Sequence, residues 1–184
     1  MFVLMIDATR RFKRRPKENP ECSSGRVCLT ASELKREFPR TPLVGVGAVV
    51  VHQGRVLLVR RGREPLKGHW TVPGGVLEVG ESLAEGVARE VKEETGLDVE
   101  PIELVELLDR IHREEGRVRY HYVIADYLCR VMGGELAAAS DAGEVRWVEH
   151  AEWNSQSALQ LDAITVRVIE KGWRRARELN AEGQ

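Results

Sequence analysis

Residues 75–97 read GVLEVGESLAEGVAREVKEETGL, a helix with both of its ends marked. Ser82-Leu83-Ala84-Glu85 has the form of a capping box and Gly96 that of a C′ stop, so the predicted helix runs from Leu83 to Thr95. On a wheel of 100° per residue with Val87 at the origin, Leu83 and Val91 lie within about 40°. Glu94 falls about 20° away, inside this apolar stripe, with Glu90 at about 60° and Glu93 at about 120° on the same side. Three carboxylates therefore share one edge, where each like-charged pair costs roughly 0.2–0.5 kcal/mol. Glu93 and Glu94 also occupy the last turn, where the helix dipole disfavours an anion by about 0.3–1 kcal/mol. A Glu-x-x-Glu-Glu run taken alone is the usual pattern of a solvated face. The position of Glu94 and the glycines ahead of the helix point instead to a bound cation. Hard cations such as Mg²⁺ take oxygen ligands from carboxylates and substrate phosphates together. The turn before the helix can add a backbone carbonyl, accessible because glycine carries no side chain.

Gly75, Glu81, Arg89-Glu90-Val91, Glu93-Glu94 and Gly96-Leu97 together resemble the Nudix box, Gly-x5-Glu-x7-Arg-Glu-Val-x-Glu-Glu-x-Gly-Leu, at every constrained position. The flanks are similar to that family as well: a strand-like 44–51, a second at 55–60, and His69-Trp70-Thr71-Val72-Pro73-Gly74-Gly75 leading into the box. The resemblance covers about residues 42–150 and extends to the C-terminal helix, leaving the first 35 or so residues outside. It implies an α/β Nudix fold, an α/β/α sandwich with a mixed β-sheet, and hydrolysis of a nucleoside diphosphate linked to another moiety. By the same resemblance Glu90, Glu93, Glu94 and the Gly74 carbonyl bind Mg²⁺, with Mn²⁺ as a substitute. Arg89 holds the glutamates in register, and Gly75, Glu81 and Gly96 support the box. Glu90 and Glu93 then carry catalysis with Arg89. The general base stays open between Glu90 and the loop residues Asp141 and Glu144.

Substrate selection is expected outside the box. Arg60, Arg61, Arg63, Lys67 and His69 cluster ahead of it and suit phosphate oxygens. Trp70 is the expected base-stacking partner; Tyr120 and Tyr122 fit that role and a core role equally. The Arg-Arg-Gly-Arg-Glu-Pro-Leu-Lys-Gly-His-Trp run looks like the ADP-ribose branch of the family. His112-Arg113 stands where one ADP-ribose subgroup carries a proline. ADP-ribose or a related NDP-sugar is the first expectation, and a MutT-like nucleoside-triphosphate pyrophosphohydrolase the second. A catalytically silent nucleotide sensor is the third, opposed by the intact glutamates and by the lack of a following helix-turn-helix.

The 184 residues, 42% of them hydrophobic, suit one globular domain with an appendage. A net charge of −1 argues against bulk nucleic-acid binding, and no apolar run is long enough for a membrane span. Cys22, Cys28 and Cys129 match neither zinc pairs nor a disulfide framework, so the expected setting is cytoplasmic with reduced thiols. A nucleotide is the expected small-molecule partner, and a homodimer is compatible with the family. Residues 1–40 read as a basic, disordered extension with a short helix at 31–38, and 41–180 as the Nudix hydrolase domain. Strands are expected at 44–52, 55–60, 99–110, 117–131 and 144–148, with a short segment at Val76-Leu77. Tight turns are expected at Gln53-Gly54 and Arg113–Gly116, a loop at 133–143, and a last helix at about 158–179.

Overall fold

The computed structural model describes residues 36–62, 64, 66–138, 142–154, 159 and 161–182. Arg63, Asp141, Cys22, Cys28 and residues 31–35 of the expected N-terminal helix lie outside the described residues. Strand β1 (Leu43–His52) sets the architecture because both of its faces are apolar. Val46, Ala48 and Val50 point to one side and Val49 and Val51 to the other, the period-2 alternation of an extended chain. A strand with both faces covered reads as a continuous hydrophobic run, as Val-Gly-Val-Gly-Ala-Val-Val-Val does.

Two layers of helix cover it. Helix α1 (Leu83–Thr95) lays Val87 and Val91 on Val46, Ala48, Val50, Leu57, Leu97 and Cys129. Helix α3 (Ala163–Glu182) lays Val168 and Ile169 on Val49, Val56, Leu58, Leu108 and Val148. The result is an α/β/α sandwich. Between the helices, β1 pairs in parallel with β6 (Arg117–Gly134), from Leu43 opposite Tyr122 to Val50 opposite Cys129. It pairs antiparallel with β4 (Gly74–Val76), while Val51 and His52 pair with β2 (Arg55–Arg61). β3 (Trp70–Thr71) and β7 (Ala142–Glu149) flank β2, and β5 (Leu97–Glu114) forms a long hairpin with β6. One parallel ladder among antiparallel ones makes the sheet mixed, as expected. Helix α2 (His150–Asn154) follows β7 and was not foreseen.

The hairpin turns are Gln53-Gly54 and Glu115-Gly116, each with both residues at positive φ, the backbone that matches strand twist. The second is shorter than the expected Arg113–Gly116 turn because the ladder runs out to Glu114 and Arg117. The β5–β6 hairpin is also longer than expected at its other end, reaching Leu97 and Gly134. β5 carries several register shifts, which break simple alternation. They leave Glu103, Glu106 and Arg110 all directed at α3, where they meet Arg175, Lys171 with Arg167, and Asp162.

Two helix boundaries differ from expectation. Residues 37 and 38 form bends rather than the end of a helix: Phe38 has φ of 48° and its amide donates to the Arg119 carbonyl. Helix α3 starts at Ala163 rather than near 158 because the Asp162 carboxylate caps it, accepting from the Ile164 and Thr165 amides and from the Thr165 hydroxyl. Among the described residues no helix is long and apolar enough to cross a membrane. Cys129 is a buried free thiol whose pKa burial pushes up to about 12.

Gly172 sits in α3 where the helix crosses β1. A methyl there would stand 2.6 Å from Val49 Cγ1 and 2.8 Å from its Cβ. Val49 is fully buried and β-branched, so it has little room to rotate. Gly172→Ala gains about 1 kcal/mol in helix propensity and loses about 1–3 kcal/mol to overpacking. The expected result is a lower thermal unfolding midpoint; a raised midpoint would show that α3 can back away from the sheet.

Candidate functional site

The loop–helix junction is built on local capping. The Ser82 Oγ accepts from the Glu85 amide at 3.3 Å, and the Glu85 carboxylate accepts from the Ser82 amide at 2.8 Å. At the other end Gly96, with φ of 75°, donates its amide to the Lys92 carbonyl. These two ends hold α1 in the rotation that buries Val87 and Val91, and that rotation fixes where the acids point.

Arg89 organises them. Its Nε and Nη2 donate to the two oxygens of Glu81, at 2.6 and 3.0 Å, the bidentate fork of a guanidinium on a carboxylate. Nη2 also donates to the Val76 carbonyl at 3.2 Å. Nη1 donates to Glu90 at 2.8 Å and to Glu93 at 3.4 Å. Glu81 further accepts from the Glu78 amide, so it fastens the loop as well as the arginine. Both arginine pairing and these hydrogen bonds hold the Glu81 carboxyl below its ordinary range.

The helical glutamates differ in surroundings. Glu90 is only 14% exposed, whereas Glu93 is 62% exposed. Burial raises the Glu90 carboxyl, and the neighbouring Arg89 opposes that rise. The Glu90 carboxylate lies against the Gly75 α-carbon, in space that any side chain at 75 would occupy. Glu94 accepts from the Gly74 amide at 2.9 Å, linking α1 to β4. Gly74 in turn lies so close to the Val46 carbonyl that a Cβ would overlap it. Gly74, Gly75, Glu81, Arg89, Glu90, Glu93 and Glu94 thus come together in one place.

The proposed phosphate-binding residues separate. Arg61 is half-buried and lies within electrostatic reach of Glu94, Arg110, Tyr122 and Arg36, with burial lowering its pKa. Arg60, one residue earlier on the strand, donates its Nε to the Gly68 carbonyl and faces Glu144 at 3.8 Å. Register places Arg60 opposite both Trp70 and Glu144, so these three group together. Trp70 is half-buried against the α3-side core, with the Arg146 guanidinium 5.3 Å from its ring centre. Lys67 is exposed in the tight turn before Gly68. Tyr120 is buried and donates its hydroxyl to Glu37 at 2.6 Å, its phenol pushed up to about 12. Arg110 and Asp162, which no local sequence pattern singles out, pair near Arg61. Their only sequence signal is a charge repeat on β5 mirrored on α3.

The donor set near α1 fits a hard divalent ion. It consists of oxygens alone, and four carboxylates face the guanidiniums of Arg89 and Arg61, leaving a formal surplus of negative charge. Among the described residues no three His, Cys, Asp or Glu side chains close into a full ligand cage. Magnesium characteristically uses one or two carboxylates, water and substrate phosphates, so an open edge is what it needs.

A family model described as the NUDIX domain matches residues 41–170. The chain belongs to the Nudix family. Among its Nudix relatives is an ADP-ribose pyrophosphatase of Methanocaldococcus jannaschii, 35% identical over 108 residues, which cover 59% of this chain and 62% of the relative. An 8-oxo-dGDP phosphatase NUDT18 of Danio rerio is 32% identical over 119 residues, 64% of this chain and 34% of the relative. The crystal structure of a MutT NUDIX hydrolase from Burkholderia pseudomallei superposes with a TM-score of 0.62 at 30% identity, over 72% of this chain and 98% of that one. The match spans about three fifths of the M. jannaschii protein and about a third of NUDT18.

Arg89→Met would leave Glu81 and Glu90 without their guanidinium. Discounted for partial exposure, the expected loss at pH 7 is about 2 kcal/mol of unfolding free energy. Because the folded-state pKa of Glu81 is lowered, its share is complete above the ordinary value of 4.5 and fades as the pH falls below it. Urea denaturation of both proteins at neutral and acid pH checks this, and a penalty independent of pH would remove the ion-pair explanation.

Proposed function

We propose that this protein is a divalent-metal-dependent pyrophosphohydrolase that cleaves the diphosphate bond of a nucleoside diphosphate carrying a second group, with ADP-ribose or a related NDP-sugar as substrate. The observation that carries the reading is the acidic edge of α1, held open by Arg89 and faced by Arg61. The ADP-ribose assignment draws on the name of the M. jannaschii relative and on the Arg60–Trp70 run. NUDT18, named for 8-oxo-dGDP, supports a second reading in which a modified nucleotide is the substrate. The catalytic unit is taken as 41–180.

Glu90, Glu93, Glu94 and the Gly74 carbonyl are the residues proposed to hold Mg²⁺, or Mn²⁺ in its place. When bound, such a cation neutralises diphosphate oxygens and acidifies a water molecule. The protein's own groups do the rest. Arg61 orients a phosphate against the acidic edge, and Arg89 keeps Glu90 and Glu93 from splaying apart. Glu90, held in place by Arg89, is the residue assigned as the base that accepts the proton of the attacking water. The water oxygen forms a new bond to phosphorus, the bridging P–O bond breaks, and the electron pair leaves with the departing phosphate. Glu144, grouped with Arg60 on β7 and β2, is the alternative base.

Turnover of ADP-ribose, sugar nucleotides, dinucleoside polyphosphates, 8-oxo-dGDP and nucleoside triphosphates, with Mg²⁺ and with Mn²⁺, read by chromatography of the nucleoside monophosphate product, tests the class. ADP-ribose is expected to lead; preference for 8-oxo-dGDP or for nucleoside triphosphates would favour the second reading, and no turnover of any would reject both. Glu93→Gln and Glu94→Gln are each expected to reduce turnover to background. Exposed Glu93 can lose its charge without unfolding the protein, so a wild-type rate there would refute its metal role. Arg61→Glu should raise KM at least tenfold, and Arg60→Glu much less. Equal KM effects would contradict the separation of the two arginines.

A further inference from the structure

We propose that Asp126 is a specificity residue of the substrate site, a carboxyl seated over Gly47 on the α3-facing side of the sheet that accepts hydrogen bonds from the nucleobase. The inference rests on the nucleoside-diphosphate reading above and names the part of the substrate that this face of the sheet recognises.

Asp126 is 4% exposed, and among the described residues it is the only carboxylate or cationic side chain that is buried. It makes no hydrogen bond or ion pair among them. Other charged side chains on its face of the sheet are already matched: Glu106, opposite on β5, meets Lys171 and Arg167, and Arg110 meets Asp162. A buried acid without a partner is a cost to folding that an apolar residue of similar volume would avoid, so its presence needs another reason.

Geometry places the carboxyl beside the acidic site. On β1, Gly47 lies opposite Asp126 of β6 on one side and opposite Gly74 of β4 on the other. Strand alternation turns Gly47 away from α1, to the face that Val49 shares. A Cβ at 47 would overlap Asp126 Oδ1 and stand 3.5 Å from Val72 Cγ2. A Cβ at 74 would stand 2.9 Å from the Gly47 α-carbon. The Asp126 carboxyl therefore sits over β1, one strand spacing of about 4.8 Å from β4, while α1 supplies Glu90, Glu93 and Glu94 from the other face. Val72, Ile124, Trp70 and Leu161 are half-buried apolar side chains on the Asp126 side. An apolar wall with one fixed polar group is the usual lining of a small-molecule pocket, and it suits a flat base. An ionised carboxyl only accepts and repels phosphate, whereas a base offers N–H donors, such as the amino groups of adenine and guanine.

The test is calorimetric titration of the full chain with AMP, GMP and ribose 5-phosphate in the presence of Mg²⁺; none of the three carries a diphosphate bond, so no turnover is needed. Wild type should bind the better of the two nucleotides at least about tenfold more tightly than ribose 5-phosphate, equivalent to about 1.4 kcal/mol. Asp126→Asn keeps the shape and exchanges one acceptor for a donor. It should weaken Kd for that nucleotide about tenfold and leave Kd for ribose 5-phosphate within about twofold. Its thermal midpoint should equal or exceed that of wild type, since an unpaired buried acid is removed. Gly47→Ala, whose methyl takes the place of the carboxyl, should reproduce the selective loss. Equal weakening of nucleotide and ribose 5-phosphate by Asp126→Asn would give the residue to the sugar or to the fold and overturn the proposal. Unchanged nucleotide binding overturns it too, as does a wild type that binds neither nucleotide more tightly than ribose 5-phosphate. A wild type that selects a base through Asp126 but hydrolyses no nucleoside diphosphate derivative would sink the pyrophosphohydrolase reading and leave the assignment of Asp126 standing.

Discussion

All five N–H donors of the Arg89 guanidinium are engaged, two on Glu81 and one each on Val76, Glu90 and Glu93. Glu81, Glu90 and Glu93 would otherwise repel one another, and Glu90 would in addition be desolvated without compensation. A single planar cation placed between them turns that repulsion into a scaffold. Lysine could not replace it: an ammonium has three donors and no fork, so it could not hold Glu81 by both oxygens while reaching Glu90 and Glu93. Glu81 completes the device by tying the arginine to the preceding loop through the Glu78 amide.

The scaffold needs close backbone approach on its other side. β4 lies against β1 with Gly74 opposite Gly47 and Gly75 opposite Val46. At 74 a side chain would strike the β1 backbone, and at 75 it would strike the Glu90 carboxylate. The bond from the Gly74 amide to Glu94 then fixes the spacing between strand and helix. β1 is the rigid element behind all of this, because its faces are buried by α1 on one side and α3 on the other. The position of α3 is set by charge pairing. Glu103, Glu106 and Arg110 of β5 bind Arg175, Lys171 and Asp162, so α3 cannot slide along the sheet without breaking three pairs.

The residues legible in the sequence are those whose placement depends on near neighbours. Ser82 and Glu85 cap a helix three residues apart, Gly96 ends it, and Gln53-Gly54 turns a hairpin. The apolar period of α1 then fixes the bearing of Glu90, Glu93 and Glu94, and that bearing was readable without coordinates. The length of the β5–β6 hairpin was underestimated because polar residues near its ends resemble a loop, although the ladder continues through them. The start of α3 was misplaced because Asp162 competes with earlier residues as a cap, and local propensity alone does not rank them.

The amino-acid order by itself determined the acidic helix edge and its glycine frame, because capping and helical period act over a few residues, whereas the mixed α/β/α architecture was implied by the resemblance to the Nudix family. Tertiary structure alone decided which basic groups meet that edge. Arg60 and Arg61 look equivalent in the chain, yet neighbouring residues of a strand diverge, and only Arg61 lies beside Glu94. The pairing of Arg110 with Asp162 and of Glu37 with Tyr120 joins residues far apart in the chain. Such contacts depend on strand register and on how a helix crosses a sheet, and no local pattern encodes either.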